Sequence, residues 1–215
     1  MINHAFPITI VDNFLDDPYL AIELANKQEF FTDDEGRWPG SRSNNIAEFA
    51  PKFFERTINK FFSIFYEKDV SYKFTCSMAF QKVGSKYTDG WAHIDSSSLI
   101  SGILYLNVNP SINSGTSICM PNSLEYDNLN IKNKIENYKK GTDDVIKRQE
   151  NNDQFHESII VKNKFNRLIA FDSHLLHKAN FEKNIDNDDR LTLVFFVHNF
   201  LSEKKYPLLR SRQTI

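Results

Sequence analysis

The sequence predicts a mainly β protein with flanking helices, a jelly-roll type of sandwich with the helices packed outside it. Three observations carry that expectation. The two clear helical patterns both fall in the first third of the 215 residues. At least six short runs rich in β-branched and aromatic residues follow, separated by Asn, Gly, Asp and Pro. No helix alternates with those runs, which argues against a doubly wound parallel sheet.

Taken in order, "FPITIVDNF" (6–14) reads as a strand. "LDDPYLAIELANKQEF" then opens a helix, with Asp16 or Asp17 as cap and Pro18 in the first turn. "TDDEGRWPGSRSNN" (32–45) is a polar loop punctuated by Gly and Pro. "APKFFERTINKFFSIFYEK" (50–68) is a second helix whose Phe53, Ile58, Phe61, Phe62 and Phe65 recur at roughly helical spacing and are assigned to the core. The strands are then expected at 72–83, 99–108, 115–120, 156–162, 166–171 and 190–200. One stretch breaks the series. Residues 122–154 are polar, charged and partly helical in pattern, and a long polar insert between core strands is read either as a lid or as a solvated excursion. The whole chain, 1–215, reads as one domain, with residues 1–70 supporting a core over 72–200.

Hydrophobic residues make up 40% of the chain, and 19 Phe suggest a ring-rich core. The formal net charge of -2 offers no basic excess for nucleic acid and no polybasic run for an anionic membrane. No run reaches the ~18 apolar residues of a membrane span, and the first residues lack the pattern of a signal peptide. Cys76 and Cys119 form no CxxC motif and no disulfide framework. Together these point to a cytoplasmic protein with neither nucleic acid nor membrane as partner, its oligomeric state left open.

The chemistry concentrates in "GWAHIDSS" (90–97). In an extended chain alternate residues share a side, so His93 and Asp95 project together and Ile94 away. An imidazole and a carboxylate on one side can chelate one cation, and a further histidine would complete the two-His-one-carboxylate triad of non-haem Fe(II) sites. "NRLIAFDSHLLHKANF" (166–181) offers His174 and His177 for that place. "DDRLTLVFF" (188–196) puts Arg190 and Thr192 on one face of a very apolar strand. An arginine turned into such an interior is costly unless a carboxylate meets it, and a guanidinium fork suits a small diacid.

The order HxD, distal His, then Arg about a dozen residues on resembles the Fe(II)/2-oxoglutarate-dependent dioxygenases, and most of all their prolyl-4-hydroxylase-like branch. The resemblance covers roughly residues 72 to 200, and "WPGSR" is similar to a segment upstream in some bacterial and phage members. It implies a double-stranded β-helix (a cupin-like jelly roll) and a hydroxylase that uses Fe(II), 2-oxoglutarate and O2, with ascorbate as an accessory, on a small-molecule or peptide substrate that presents a peptidyl or free amino-acid side chain. His93, Asp95 and His177 match the metal ligands. Arg190 matches the anchor of the far carboxylate, Thr192 its hydroxyl neighbour, and Tyr105 in "GILYLN" a tyrosine that assists it. The strand before HxD offers Gln81, Lys82 and Tyr87 to the cosubstrate, with Gln81 kept as a candidate. Arg42, Trp38 and Trp91 are candidate substrate contacts, the two tryptophans at the mouth. His4, His156 and His198 are read as structural or surface. A carboxylate at 95 favours hydroxylation, because halogenases of the superfamily carry a small residue there. The alternatives are a non-catalytic cupin-like metal-binding or structural module, and a hydrolytic zinc site. The first would lack a matched diacid anchor; the second needs a base beside the metal, and no Glu stands near HxD.

Overall fold

"RLTLVFFV" is apolar on both of its alternating sets, as a strand covered on both faces must be. In a computed structural model that describes residues 7–67, 69–123, 144–181 and 189–203, it lies at the centre of a seven-stranded sheet. Chain order runs β1 (Ile8–Val11), α1 (Pro18–Asn26), β2 (Phe31–Thr32), β3 (Ser41–Arg42), α2 (Ile46–Phe49), α3 (Pro51–Ser63), β4 (Tyr72–Val83), β5 (Ile100–Tyr105) and β6 (Gly115–Pro121). It continues with α4 (Val145–Asn152), β7 (Phe155–Lys162), β8 (Leu168–Asp172), β9 (His177–Asn180) and β10 (Arg190–Ser202). The large sheet has the order β1-β8-β5-β10-β4-β3-β2, and a small one runs β7-β6-β9. The paired strands of both sheets are antiparallel, giving the expected mainly β jelly roll.

The two faces of the large sheet differ. Leu191, Leu193, Phe195 and Val197 of β10 pack with Met78, Phe80, Leu104 and Leu168 against the helices. Helix α3 answers with Ile58, Phe61 and Phe62; the Phe61 and Phe195 rings lie 4.9 Å apart and Phe62 and Phe200 4.7 Å apart. Gly102 makes this possible, since a Cβ there would stand 2.0 Å from the Phe195 ring. The other face carries Arg190, Thr192, Val194 and Phe196 and looks toward the small sheet, with a cavity between them. The N-terminal segment covers the helix side. Asp17 caps α1 by accepting from the Leu20 amide at 3.1 Å, and Pro18 fills its first position.

Three expectations change. The loop over 32–45 carries two short strands, because Phe31–Thr32 pairs Ser41–Arg42 and the latter joins the edge of β4. The helix expected over 50–68 is α3 alone, ending at Ser63, with the separate turn of α2 before it. His177 begins a short strand where none was expected. Of the insert, residues 124–143 lie outside the described residues, as does His4; residues 145–152 are helical. Among the described residues no helix is long and apolar enough to cross a membrane.

Candidate metal centre and the cavity around it

The HxD segment is not a regular strand. A single bridge ties it to β9: the His93 amide donates to the His177 carbonyl and the His177 amide to the His93 carbonyl, both at 2.9 Å. Gly90 permits that approach, because a Cβ there would sit 2.4 Å from the Ala179 carbonyl oxygen. Asp95 is held by its amide, which donates to Ser173 at 2.8 Å. The two motifs thus face each other through backbone pairing, and the ligand atoms of His93, Asp95 and His177 fall within 4.8 Å of one another.

Each imidazole is fixed by its other nitrogen. His93 Nδ1 lies 2.7 Å from the Trp91 carbonyl and His177 Nδ1 2.8 Å from the Leu175 carbonyl. A carbonyl can only accept, so each Nδ1 carries a proton and each Nε2 keeps a lone pair when the ring is neutral. Both Nε2 atoms lie 3.4 Å from Asp95, on different carboxylate oxygens. That is the arrangement of metal-ligating histidines, whose remote nitrogen is anchored. Ser101 donates to Asp95 Oδ2 at 2.7 Å and is itself linked to Ser173 and Ser98. Burial would raise the Asp95 carboxyl, but His177 and His93 together hold it well below the ordinary carboxylate value. His174 is exposed and outside this cluster.

The cluster opens into a cavity of about 420 Å³, a volume that suits a small-molecule ligand. At one end is Arg190, 7% exposed, with Nη2 donating to the Gly115 carbonyl at 3.3 Å and its guanidinium 5.5 Å from the Tyr105 ring and 5.3 Å from Phe181. Burial lowers its pKa, and no carboxylate among the described residues offsets that. Its buried Nε has no hydrogen-bond partner, nor has the Thr192 hydroxyl. Tyr105 lies beside them, with its hydroxyl donating to Thr116 at 2.7 Å. Thr116, which the sequence reading passed over as part of a small-residue strand, lines the cavity.

A polar row crosses four strands on this face: Arg42, Gln81, Thr192 and Tyr105 are successive register partners. Of the three residues offered by β4 and its loop, Gln81 lines the cavity, Lys82 lies over the Phe30 ring, and Tyr87 is buried with Val83. Arg42 and Trp38 also line the cavity, with Arg42 two strands away from Thr192 in the row. Trp91, 2% exposed, is a buried wall rather than part of a mouth, because it packs in a cluster with Val83 and Tyr87. His198 continues the alternation of Val194 and Phe196 and lines the cavity, with Nε2 2.9 Å from the Ser77 hydroxyl and Nδ1 3.1 Å from the Ser97 carbonyl; the register shift between Val197 and Asn199 falls at this point.

Two asparagines escaped the sequence reading altogether. Asn152 accepts from the Ala92 amide at 2.9 Å and donates to the Gly90 carbonyl at 2.9 Å, and Asn151 donates to the Ala92 carbonyl at 3.1 Å. The end of the polar insert therefore clamps the HxD loop. Their signal, two asparagines in a polar helix, resembles any solvated face.

Residues 1–197 match a family described as Family of unknown function (DUF6445). No curated protein matches the chain. Among solved structures, HygX from Streptomyces hygroscopicus with nickel and 2-oxoglutarate bound aligns with a TM-score of 0.56 at 10% identity, over 90% of this chain and 83% of that one. The non-heme alpha ketoglutarate dependent epimerase SnoN from nogalamycin biosynthesis aligns with a TM-score of 0.52 at 12% identity, over 91% and 79%. An oxidoreductase of the 2OG-Fe(II) oxygenase family from Burkholderia pseudomallei aligns with a TM-score of 0.50 at 11% identity, over 92% and 89%. At these identities the shared property is the fold. The residues of this chain fit a metal with a diacid beside it: two histidine lone pairs and a carboxylate converge, and Arg190, whose Nε is unmatched, lines the same cavity.

Proposed function

We propose that this chain, which belongs to the DUF6445 family, is an Fe(II)- and 2-oxoglutarate-dependent oxygenase that hydroxylates a C–H bond of a peptidyl or free amino-acid-like substrate. The observation that carries the reading is Arg190. A guanidinium buried without a carboxylate is costly. It stands in the cavity that holds the His93, Asp95 and His177 cluster. A non-catalytic metal module would have no use for it.

His93, Asp95 and His177 would hold the iron, and Arg190 with Thr192 the far carboxylate of the cosubstrate. When bound, the metal and cosubstrate supply the oxidising chemistry, in which O2 converts 2-oxoglutarate to succinate and carbon dioxide and hydroxylates the substrate. The chain's own part is orientation and exclusion of water. The Trp91 and Leu175 carbonyls keep both Nε2 lone pairs pointed inward. Ser101 occupies one lone pair of Asp95 Oδ2, which fixes the carboxylate plane. Phe171 packs against the His177 ring at 4.6 Å, and Val194, Phe196 and Phe181 keep the walls apolar. Tyr105 acts on the cosubstrate through Thr116 unless its hydroxyl turns. Asp95 is the one carboxylate among the described lining residues, so no second acid is available there as the base of a hydrolytic zinc site. The carboxylate at position 95 favours hydroxylation over halogenation, which calls for a small residue there.

The test is succinate release from 2-oxoglutarate, with iron content measured alongside, in wild type, Arg190→Ala and Arg190→Lys. Arg190→Ala should retain iron and lose cosubstrate affinity; Arg190→Lys keeps the charge, loses the fork and should lose less. Wild-type affinity in Arg190→Ala would remove the main support for the reading.

A further inference from the structure

The cavity holds a second cation that the proposed cofactors leave unmatched. Arg42 lies on the short strand β3, with its guanidinium 4.4 Å from the Trp38 ring and 5.3 Å from Phe196. Gln81 steadies it by accepting from Nη2 at 3.3 Å, while Gln81 Nε2 donates to the Pro39 carbonyl at 2.9 Å. Its buried Nε has no partner, and neither has the buried Trp38 Nε1. Both are donors that can only be satisfied by an acceptor. Among the described residues no carboxylate makes an ion pair with Arg42. Burial lowers its pKa to about 10, with Asp95 and then Asp33 opposing that from longer range and Arg37 adding to it. Arg37, the neighbouring cation, is already paired with Asp33 at 2.8 Å.

The charges around the proposed centre can be followed one by one. A divalent metal with Asp95 leaves one positive charge. A dianionic cosubstrate with Arg190 leaves one negative charge, and the two cancel. Arg42 is then a half-buried cation, its Nε fully enclosed, with nothing to offset it. Nor is it placed to share the cosubstrate's far carboxylate. In the polar row Gln81 and its strand stand between Arg42 and Thr192, two strand spacings, or roughly 10 Å between backbones.

We propose that Arg42, with Trp38 Nε1 beside it, binds a carboxylate of the oxygenase's primary substrate. The planar fork on an aromatic shelf is suited to a carboxylate rather than to a neutral polar group. The inference rests on the oxygenase reading and specifies its substrate as an organic acid. That carboxylate could belong to a free α-amino acid or to the C-terminus of a peptide, which present the same chemistry to Arg42.

The test uses the full chain loaded anaerobically with Ni(II) and 2-oxoglutarate. Calorimetric titration is run with the proteinogenic α-amino acids in one arm and with short peptides varying in their last residue in the other, each as acid and as primary carboxamide. At least one acid should bind about tenfold or more tighter than its amide, the usual scale of a charge-assisted bond. The arm in which it does so identifies the source. Arg42→Gln should abolish the preference and Arg42→Lys should weaken it, while 2-oxoglutarate affinity stays within about twofold of wild type. The circular dichroism melt of each variant shows that it is folded. The proposal is overturned if no acid outbinds its amide in either arm, if the preference survives Arg42→Gln, or if Arg42→Gln weakens 2-oxoglutarate as strongly as Arg190→Ala does. Failure of wild type to bind 2-oxoglutarate at all would instead sink the oxygenase reading on which the proposal stands.

Discussion

The two faces of the seven-stranded sheet are built from alternate residues of the same strands, and they are opposites in how completely they are satisfied. On the helix side Leu193 and Phe195 meet Phe61 and Phe80 with no polar atom among them. On the cavity side, one residue away along β10, Thr192 and Arg190 carry buried polar atoms without partners. A fold needs the first face. The second lowers stability, and its residues are intelligible only if something binds there.

That contrast is sharpest under substitution. Phe195→Ala, on the helix side, should cost about 3–5 kcal/mol of stability, the usual range for a buried ring left as a cavity. Folded Phe195→Ala protein should still bind metal, which a denaturant midpoint beside a metal titration would check. Arg190→Ala, on the cavity side, should weaken 2-oxoglutarate binding by about 2–5 kcal/mol, the scale for truncating one partner of a buried charge pair. Stability should respond in the opposite sense: Arg190→Met removes an unmatched buried charge, so the ligand-free protein should melt no lower than wild type. A large drop in its melting temperature would mean that Arg190 is structural and that the two faces do not differ in the way described.

Asn152 tests the link between the faces and the insert. Asn152→Ala removes an acceptor and a donor from the Gly90–Ala92 backbone, at a cost of about 1–3 kcal/mol for the buried groups left unpaired. Metal affinity should fall more than the melting temperature, because the loop carries His93 and Asp95. The smallest effect is expected at the sheet edge. Asp12 is held below the ordinary carboxylate value by Arg167 first and then by Lys164. A carboxylate lowered in the folded state stabilises above its unfolded value and stops doing so as pH falls through its folded one. Asp12→Asn should therefore melt slightly below wild type at pH 7, by less than about 1 kcal/mol for so exposed a pair, and the gap should close as pH falls well below 3.8.

Much of the sheet was legible in the sequence because it rests on local alternation. β4 and the start of β10 lie where the pattern puts them, and Arg190 and Thr192 share a face as the period of two requires. HxD could be named from its alternation and His177 only from the family resemblance, and the backbone bridge that joins them from neither. What escaped depends on contacts between distant parts of the chain. Strand β9, "HKAN", has no strand-forming composition and exists because β6 pairs with it. Phe200 returns to the helix-side core only because β10 slips register after Val197. Asn152 reaches Ala92 across 60 positions of sequence. Two-residue strands such as Ser41–Arg42 are too short to show a period, so Arg42 could be named from "WPGSR" but not placed in the row with Gln81.

The central claim is that one cavity holds a metal at His93, Asp95 and His177 with 2-oxoglutarate anchored at Arg190. Anaerobic titration of the metal-free protein with Fe(II) and then 2-oxoglutarate tests it most directly, by the visible charge-transfer band that forms when both are bound together. The account predicts a band that saturates at one iron and one 2-oxoglutarate per chain, is absent in His177→Ala, persists in His174→Ala, and requires far more 2-oxoglutarate in Arg190→Ala. No band in wild type, or a band lost in His174→Ala and kept in His177→Ala, would contradict it.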